Sequence, residues 1–164
     1  MDFEKCARDG ESFLRELSEK LGYQYESHKT IQILKSVFHT IRDHLEFEES
    51  LEFLAQIPTF LKPIYVDGWT YKEKKKLKHL NDFLDEVWEN EGSPTTDFGD
   101  RQKALGVIKI VFIMLRKYVS VEEMNEILAI LPSEINTCLN MIFCNNCGIL
   151  ELNDSSHSEK KTLE

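Results

Sequence analysis

Residues 33–58, ILKSVFHTIRDHLEFEESLEFLAQIP, recur seventy-four positions later as residues 107–132, VIKIVFIMLRKYVSVEEMNEILAILP. Ten of the twenty-six aligned positions are identical, and seven of the other sixteen exchange one apolar residue for another. Each copy therefore reads as one supersecondary unit whose apolar face needs a partner. In the first copy Leu34, Val37, Phe38, Ile41 and Leu45 share one face at helical spacing, and after a short break Leu51, Leu54 and Ala55 resume the period until Pro58 stops it. The unit is a long helix, a tight turn and a shorter helix.

Outward from this unit the pattern stays helical. Residues 2–21 form a first helix, firmest from Glu11 onward because Gly10 is a poor helix former, and Gly22 marks its end. The second helix runs from about Ser27 to Leu45, the third covers 47–56, and Pro58 opens a fourth over 59–65. A turn at Asp67-Gly68 and an aromatic anchor at Trp69 follow. From Tyr71 the basic run YKEKKKLKH leads into Leu77, Leu80, Phe83, Leu84 and Val87 as one amphipathic helix. Gly92, Ser93, Pro94 and Gly99 make a loop. A sixth helix spans 101–118, Ser120 and Glu123 form a capping box for a seventh, and an eighth starts after Pro132 and ends near Phe143.

The expected fold is all-α: a single globular bundle of about eight helices built from two tandem pseudo-symmetric repeats, residues 1–70 and 71–144, in one domain over 1–152. Two copies are too few for a solenoid, so they pack face to face. Residues 153–164 are polar enough to read as a disordered tail. The closing Leu163-Glu164 pair is open to being vector-encoded.

Composition narrows the function classes. The 164 residues carry a formal charge of −9, which argues against nucleic acid, since phosphate binding relies on Lys and Arg releasing counterions. The most apolar run, 106–115, contains Lys109 and is far short of the roughly 20 residues that cross a bilayer. The opening MDFEKCARDG lacks the apolar core of a signal peptide, so a cytoplasmic protein with reduced thiols is expected.

The run Ile41-Arg42-Asp43-His44-Leu45, the pair Glu48-Glu49, the stretch Ala55-Gln56-Ile57-Pro58 and the stretch Tyr65-Val66-Asp67-Gly68-Trp69 together resemble bacterial proteins catalogued as domain of unknown function 2267, which also carry a second, degenerate copy. The resemblance covers about residues 13–139. It implies an all-helical fold and a bacterial origin, and it supplies no activity, substrate, cofactor or catalytic residue.

Candidate sites are few. Arg42 and Arg116 precede the acidic pairs ending in Glu49 and Glu123 across a tight turn, an arrangement suited to structural ion pairs, Arg42 with Glu49 and Arg116 with Glu123. Tyr65, Gly68 and Trp69 occur in the first copy alone, so a groove for a partner or ligand is sought beside them, against the alternative of an aromatic plug. Cys144 and Cys147 have the spacing of zinc knuckles and redox pairs, with Cys138 and His157 able to complete a metal set; Cys138 also falls on an apolar helix face, where a buried small hydrophobe is the ordinary reading. The lysines at 72, 74, 75, 76 and 78 read as a solvated face. The histidines are scattered, with His39 on the polar side of its helix. No zinc-protease pair, phosphate loop or nucleophile elbow is written. The sequence therefore points to a binding module with no catalytic residue and no cofactor, its partner another protein or a small ligand and its assembly open to a homo-oligomer. The competing class is a metal- or thiol-dependent activity at the cysteines.

Overall fold

The computed structural model describes residues 2–24, 26–70, 79–90 and 101–150, with the side chains of Ile142 and residues 144–150 outside the description. Each helix begins and ends where local chemistry dictates. In α1 (Phe3–Leu21) the Asp2 carboxylate accepts the Lys5 N–H at 3.0 Å. Gly22 closes it at φ 83°, a left-handed conformation that a Cβ would oppose, while the Tyr23 N–H reaches back to Ser18 O at 2.7 Å. Then come α2 (Ser27–His44), α3 (Phe47–Gln56), a 3-10 turn over Thr59–Leu61 running into α4 (Lys62–Val66), α5 (Leu80–Asn90), α6 (Arg101–Leu115), α7 (Val121–Ile130) and α8 (Ser133–Leu150). Among the described residues there is no strand; the fold is an all-α bundle.

Carboxylates cap both short helices. The Glu46 N–H donates to the Glu49 carboxylate at 2.7 Å to start α3. At α7 the Ser120 hydroxyl accepts the Glu123 N–H at 3.1 Å and Glu123 accepts the Ser120 N–H at 2.7 Å, satisfying two donors that the first turn would otherwise leave open.

Helix α2 sits at the centre, packed on α1, α4 and α5, while α3 packs on α7 and α6 touches α1, α5 and α8. Phe13, Leu17, Leu34, Val37, Phe38, Ile41, Phe83, Val87, Phe112, Leu115 and Ile127 have no measurable exposure, and the buried set is continuous across the bundle. Burial of each such side chain contributes roughly 1.5–3 kcal/mol. Phe13, Phe60 and Tyr118 form a triangle of rings, with centroids 5.5, 5.5 and 5.3 Å apart. Polar groups of α2 are matched rather than excluded. Ser18 and Thr30 share a 2.6 Å hydrogen bond between α1 and α2, Ser36 donates to Val87 O, Asn90 donates to Thr40 Oγ1 at 2.9 Å, and the His44 Nε2–H reaches the Glu86 carboxylate at 2.7 Å. Paired in this way, buried polar groups fix the register of α2 on its neighbours without the cost of an unmet donor.

Three boundaries differ from the sequence reading. Helix α5 starts at Leu80 rather than running on from Tyr71: His79 is outside the helix and its N–H donates to Asp82 Oδ2 at 3.1 Å, an aspartate cap. Residues 71–78, with the basic run, and the tail beyond 150 lie outside the described residues. Helix α6 stops at Leu115, and the N–H groups of Lys117 and Tyr118 turn back to Met114 O and Leu115 O at 3.1 and 2.9 Å, tightening the chain before it can continue to 118. Helix α8 runs on to Leu150 instead of ending near Phe143. Asn145, Asn146 and Gly148 disfavour helix by up to about 1 kcal/mol each, but with no proline present each added residue still gains a backbone hydrogen bond. Among the described residues no helix is long and apolar enough to cross a membrane.

Candidate functional site

Lys35, His39 and Arg42 stand four and then three residues apart on α2, so they share one helical face, and that face meets the C-terminal end of α4. Five residues of helix are too few to hold themselves together, and their last carbonyls have no partner within the helix. The α2 face supplies those partners. The His39 Nε2–H donates to Ile64 O at 2.9 Å, Arg42 Nη1 donates to Tyr65 O at 2.6 Å and to Asp67 O at 3.2 Å, and Lys35 Nζ donates to the Asp67 carboxylate at 2.5 Å. Cationic donors at a helix C-terminus also suit its dipole. Burial holds the His39 imidazole below its usual value, with the bond to Ile64 O acting the other way. The Lys35 ammonium holds the exposed Asp67 carboxyl below the usual carboxylate range.

The turn that follows is a type II turn: Asp67 at φ −57°, ψ 125°, Gly68 at φ 63°, and the Trp69 N–H closing on Val66 O at 3.0 Å. Gly68 is required there because the third position of such a turn is left-handed. Trp69 is thereby set 5.9 Å from the Arg42 guanidinium, 5.9 Å from the Phe47 ring and 6.0 Å from the Tyr65 ring. Arg42 is buried, and its Nε has no hydrogen-bond partner; the nearby Asp43 Oδ1 is 3.8 Å away, beyond hydrogen-bond reach.

The expected site residues separate. Tyr65 is fully buried, stacked on Phe53 at 5.2 Å and edge-on to Phe38, with its hydroxyl 2.5 Å from Ser50 Oγ. It is the plug of the bundle and lines no groove, and burial pushes its phenol up to about 12. Gly68 shapes the turn, and Trp69 is half-buried at the surface. Phe47, beside Trp69, is 47% exposed; Leu51, one turn further along α3, and Val66, the first residue of the turn that carries Trp69, are 44% and 39% exposed. The Arg116 guanidinium lies 5.2 Å from the Phe143 ring, and these two residues follow Arg42 and Trp69 by seventy-four positions.

The bridge expected between Arg42 and Glu49 is replaced by the two carbonyl bonds of Arg42, while Glu49 turns to the Glu46 N–H. Glu123 likewise accepts from Ser120. Sequence reasoning missed Lys35, His39, Ser50 and Asp67. The spacing of three basic residues on one face of α2 was the available signal.

Leu80, Ser133, Glu134, Thr137, Cys138 and Met141 line an open hollow of about 360 Å³. Cys138 is a half-buried free thiol. The continuous α8 backbone sets Cys144 about 9 Å and Cys147 about 13.5 Å further along the axis than Cys138. No group of three metal-ligating side chains occurs among the described residues, and His157 lies outside them.

A family model described as an uncharacterized conserved protein, DUF2267, matches residues 10–138, well over half of the chain. Comparison with curated proteins gives no match.

Proposed function

The chain belongs to the DUF2267 family, and we propose that it is a binding module whose docking surface is the corner between α3 and α4. The observation that carries this reading is the exposure of Phe47 and Leu51 on α3 and of Val66 in the turn after α4, with Trp69 beside Phe47, on a turn tied to α2 by Lys35, His39 and Arg42. Single exposed apolar residues are ordinary, but a contiguous set on a fixed element marks a contact surface. The ligand is a protein in this reading, because exposed apolar side chains on a fixed element suit a partner surface. The module works in the cytoplasm, and its two halves descend from one duplicated helical unit. The acidic composition and the ten identities between residues 33–58 and 107–132 support these points.

Affinity capture from native cell extract with the wild-type chain and with Leu51→Asp, quantified by mass spectrometry, tests the reading. Partners retained by the first and lost by the second are expected. Identical profiles refute it.

A thiol-dependent activity is the second reading, carried by Cys138 on the wall of the 360 Å³ hollow. Thiol titration and elemental analysis of protein purified without chelator separate the two: a Cys138 thiol of ordinary reactivity and no stoichiometric metal remove it.

A further inference from the structure

We infer that the partner presents a basic amphipathic helix to the corner of α3 and α4, an inference that rests on the docking reading above. Phe47 and Leu51 are one helical turn apart on α3, about 6 Å along its axis, and the Phe47 ring stands 5.9 Å from Trp69. Phe47 with Leu51 offers two anchors one turn apart, and Trp69 beside Phe47 offers a third, a strip that apolar anchors on one face of a docked helix can meet.

On the α3 side of that strip the charge has one sign, while α4 contributes Lys62, whose Nζ donates to Ala55 O at 3.4 Å. Every ionisable residue of α3 is acidic, and the helix contains no Lys or Arg. Glu48 and Glu52 follow Phe47 and Leu51 by one position each and are exposed, so they form a second stripe parallel to the apolar one, about 100° around the helix. Asp67 is already engaged by Lys35. A helix whose apolar anchors are flanked by Lys or Arg complements both stripes at once. Anionic membranes and nucleic acid meet like charge there. A second copy of the chain is disfavoured as well, because a twofold contact through this strip would set its acidic stripe against an identical one.

The test uses the full chain with Trp88→Phe, which leaves Trp69 as its one tryptophan, and two synthetic helix-forming peptides of about 18 residues, long enough to be helical. One carries leucines at i, i+4 and i+7 with lysines elsewhere on the flanks, and the other has glutamates in place of the lysines. Trp69 emission reports binding. The Leu/Lys peptide binds; Leu51→Ser weakens it about tenfold or more, as loss of an interface anchor does. The pair Glu48→Gln and Glu52→Gln weakens it several-fold and flattens its salt dependence. Val121→Ser, which removes an exposed apolar residue of α7, leaves it unchanged.

If the Leu/Glu peptide binds more tightly in a Leu51-dependent manner, the basic partner is overturned while the docking surface stands. If neither peptide binds, or if Leu51→Ser and Val121→Ser act alike, the inference fails, and the capture experiment with Leu51→Asp then decides separately whether the docking surface survives. A dimer in sedimentation that Leu51→Ser dissolves would identify the occupant as a second copy and overturn the inference too.

Discussion

Replacing Arg42 with methionine asks whether the buried guanidinium secures the end of α4 or is a net burden. Arg42 donates to Tyr65 O at 2.6 Å and to Asp67 O at 3.2 Å. Hydrogen bonds from a charged donor contribute about 1.5–3 kcal/mol each, with the longer one at the low end. The face of Trp69 adds about 0.5 kcal/mol. Against this stands the cost of a buried charge whose Nε is unpartnered, on the order of 1–2 kcal/mol, which an apolar side chain of similar length relieves. The balance is a destabilisation of about 2 kcal/mol, or about 4–8 °C in Tm for a chain of this size. Urea and thermal melts followed by circular dichroism measure it. Trp69 emission in a Trp88→Phe background reports whether the corner itself loosens, and a red shift below the global transition is expected. A methionine variant as stable as the parent, with unshifted emission, would refute the reasoning, because buried arginines elsewhere can be replaced by apolar residues at no loss.

Other measurements bear on the same molecule. The Tyr65 phenol is raised to about 12, so the stability it contributes is complete below pH 10 and lost as pH rises toward 12; alkaline difference spectra should show one tyrosine that ionises late, and Tyr65→Phe should abolish it while costing about 1–2 kcal/mol by leaving Ser50 unpaired. Because burial holds the His39 imidazole below the ordinary histidine value of 6.5, the unfolded chain binds the proton first, and the His39 contribution is present above that value and is lost as pH falls through the folded one. Urea melts of the wild type and His39→Gln near neutral pH and at about pH 5 should therefore diverge less at the lower pH. Gly106 lies inside α6 with nothing within 4 Å of an added Cβ, so Gly106→Ala should stabilise by about 0.5–1 kcal/mol in the same melts, whereas Gly22→Ala, at φ 83°, should destabilise by about 1 kcal/mol.

The parts of the fold that could be read from sequence were those with a chemical full stop. Gly22, Pro58, Pro132 and the Ser120–Glu123 capping box each act within a few residues, so the bounds of α1, α3 and α7 follow from neighbours alone. Helix α8 had no such stop, and weak propensities at Asn145, Asn146 and Gly148 were a poor substitute for one. The site was harder for a related reason. Arg42 was singled out, but its carboxylate partner was chosen because Glu49 is near in sequence, whereas its real acceptors are backbone carbonyls twenty-three and twenty-five residues on. Carbonyls at a helix end leave no mark in the residue string; only packing α4 against α2 brings them to Arg42 and His39. Tyr65 and Trp69 show the same limit: both aromatic residues were visible, but only the fold decides that one fills the core and the other meets solvent.

The three ties from α2 to the end of α4 bear on how fast a partner would be caught. With Lys35, His39 and Arg42 bonded in the free protein, the corner is already ordered, and an incoming chain would have only itself to order. Encounter would then run at the ordinary orientation-limited rate of about 10⁵–10⁷ M⁻¹s⁻¹, and competing partners would be sorted by how long each stays rather than by how quickly each arrives.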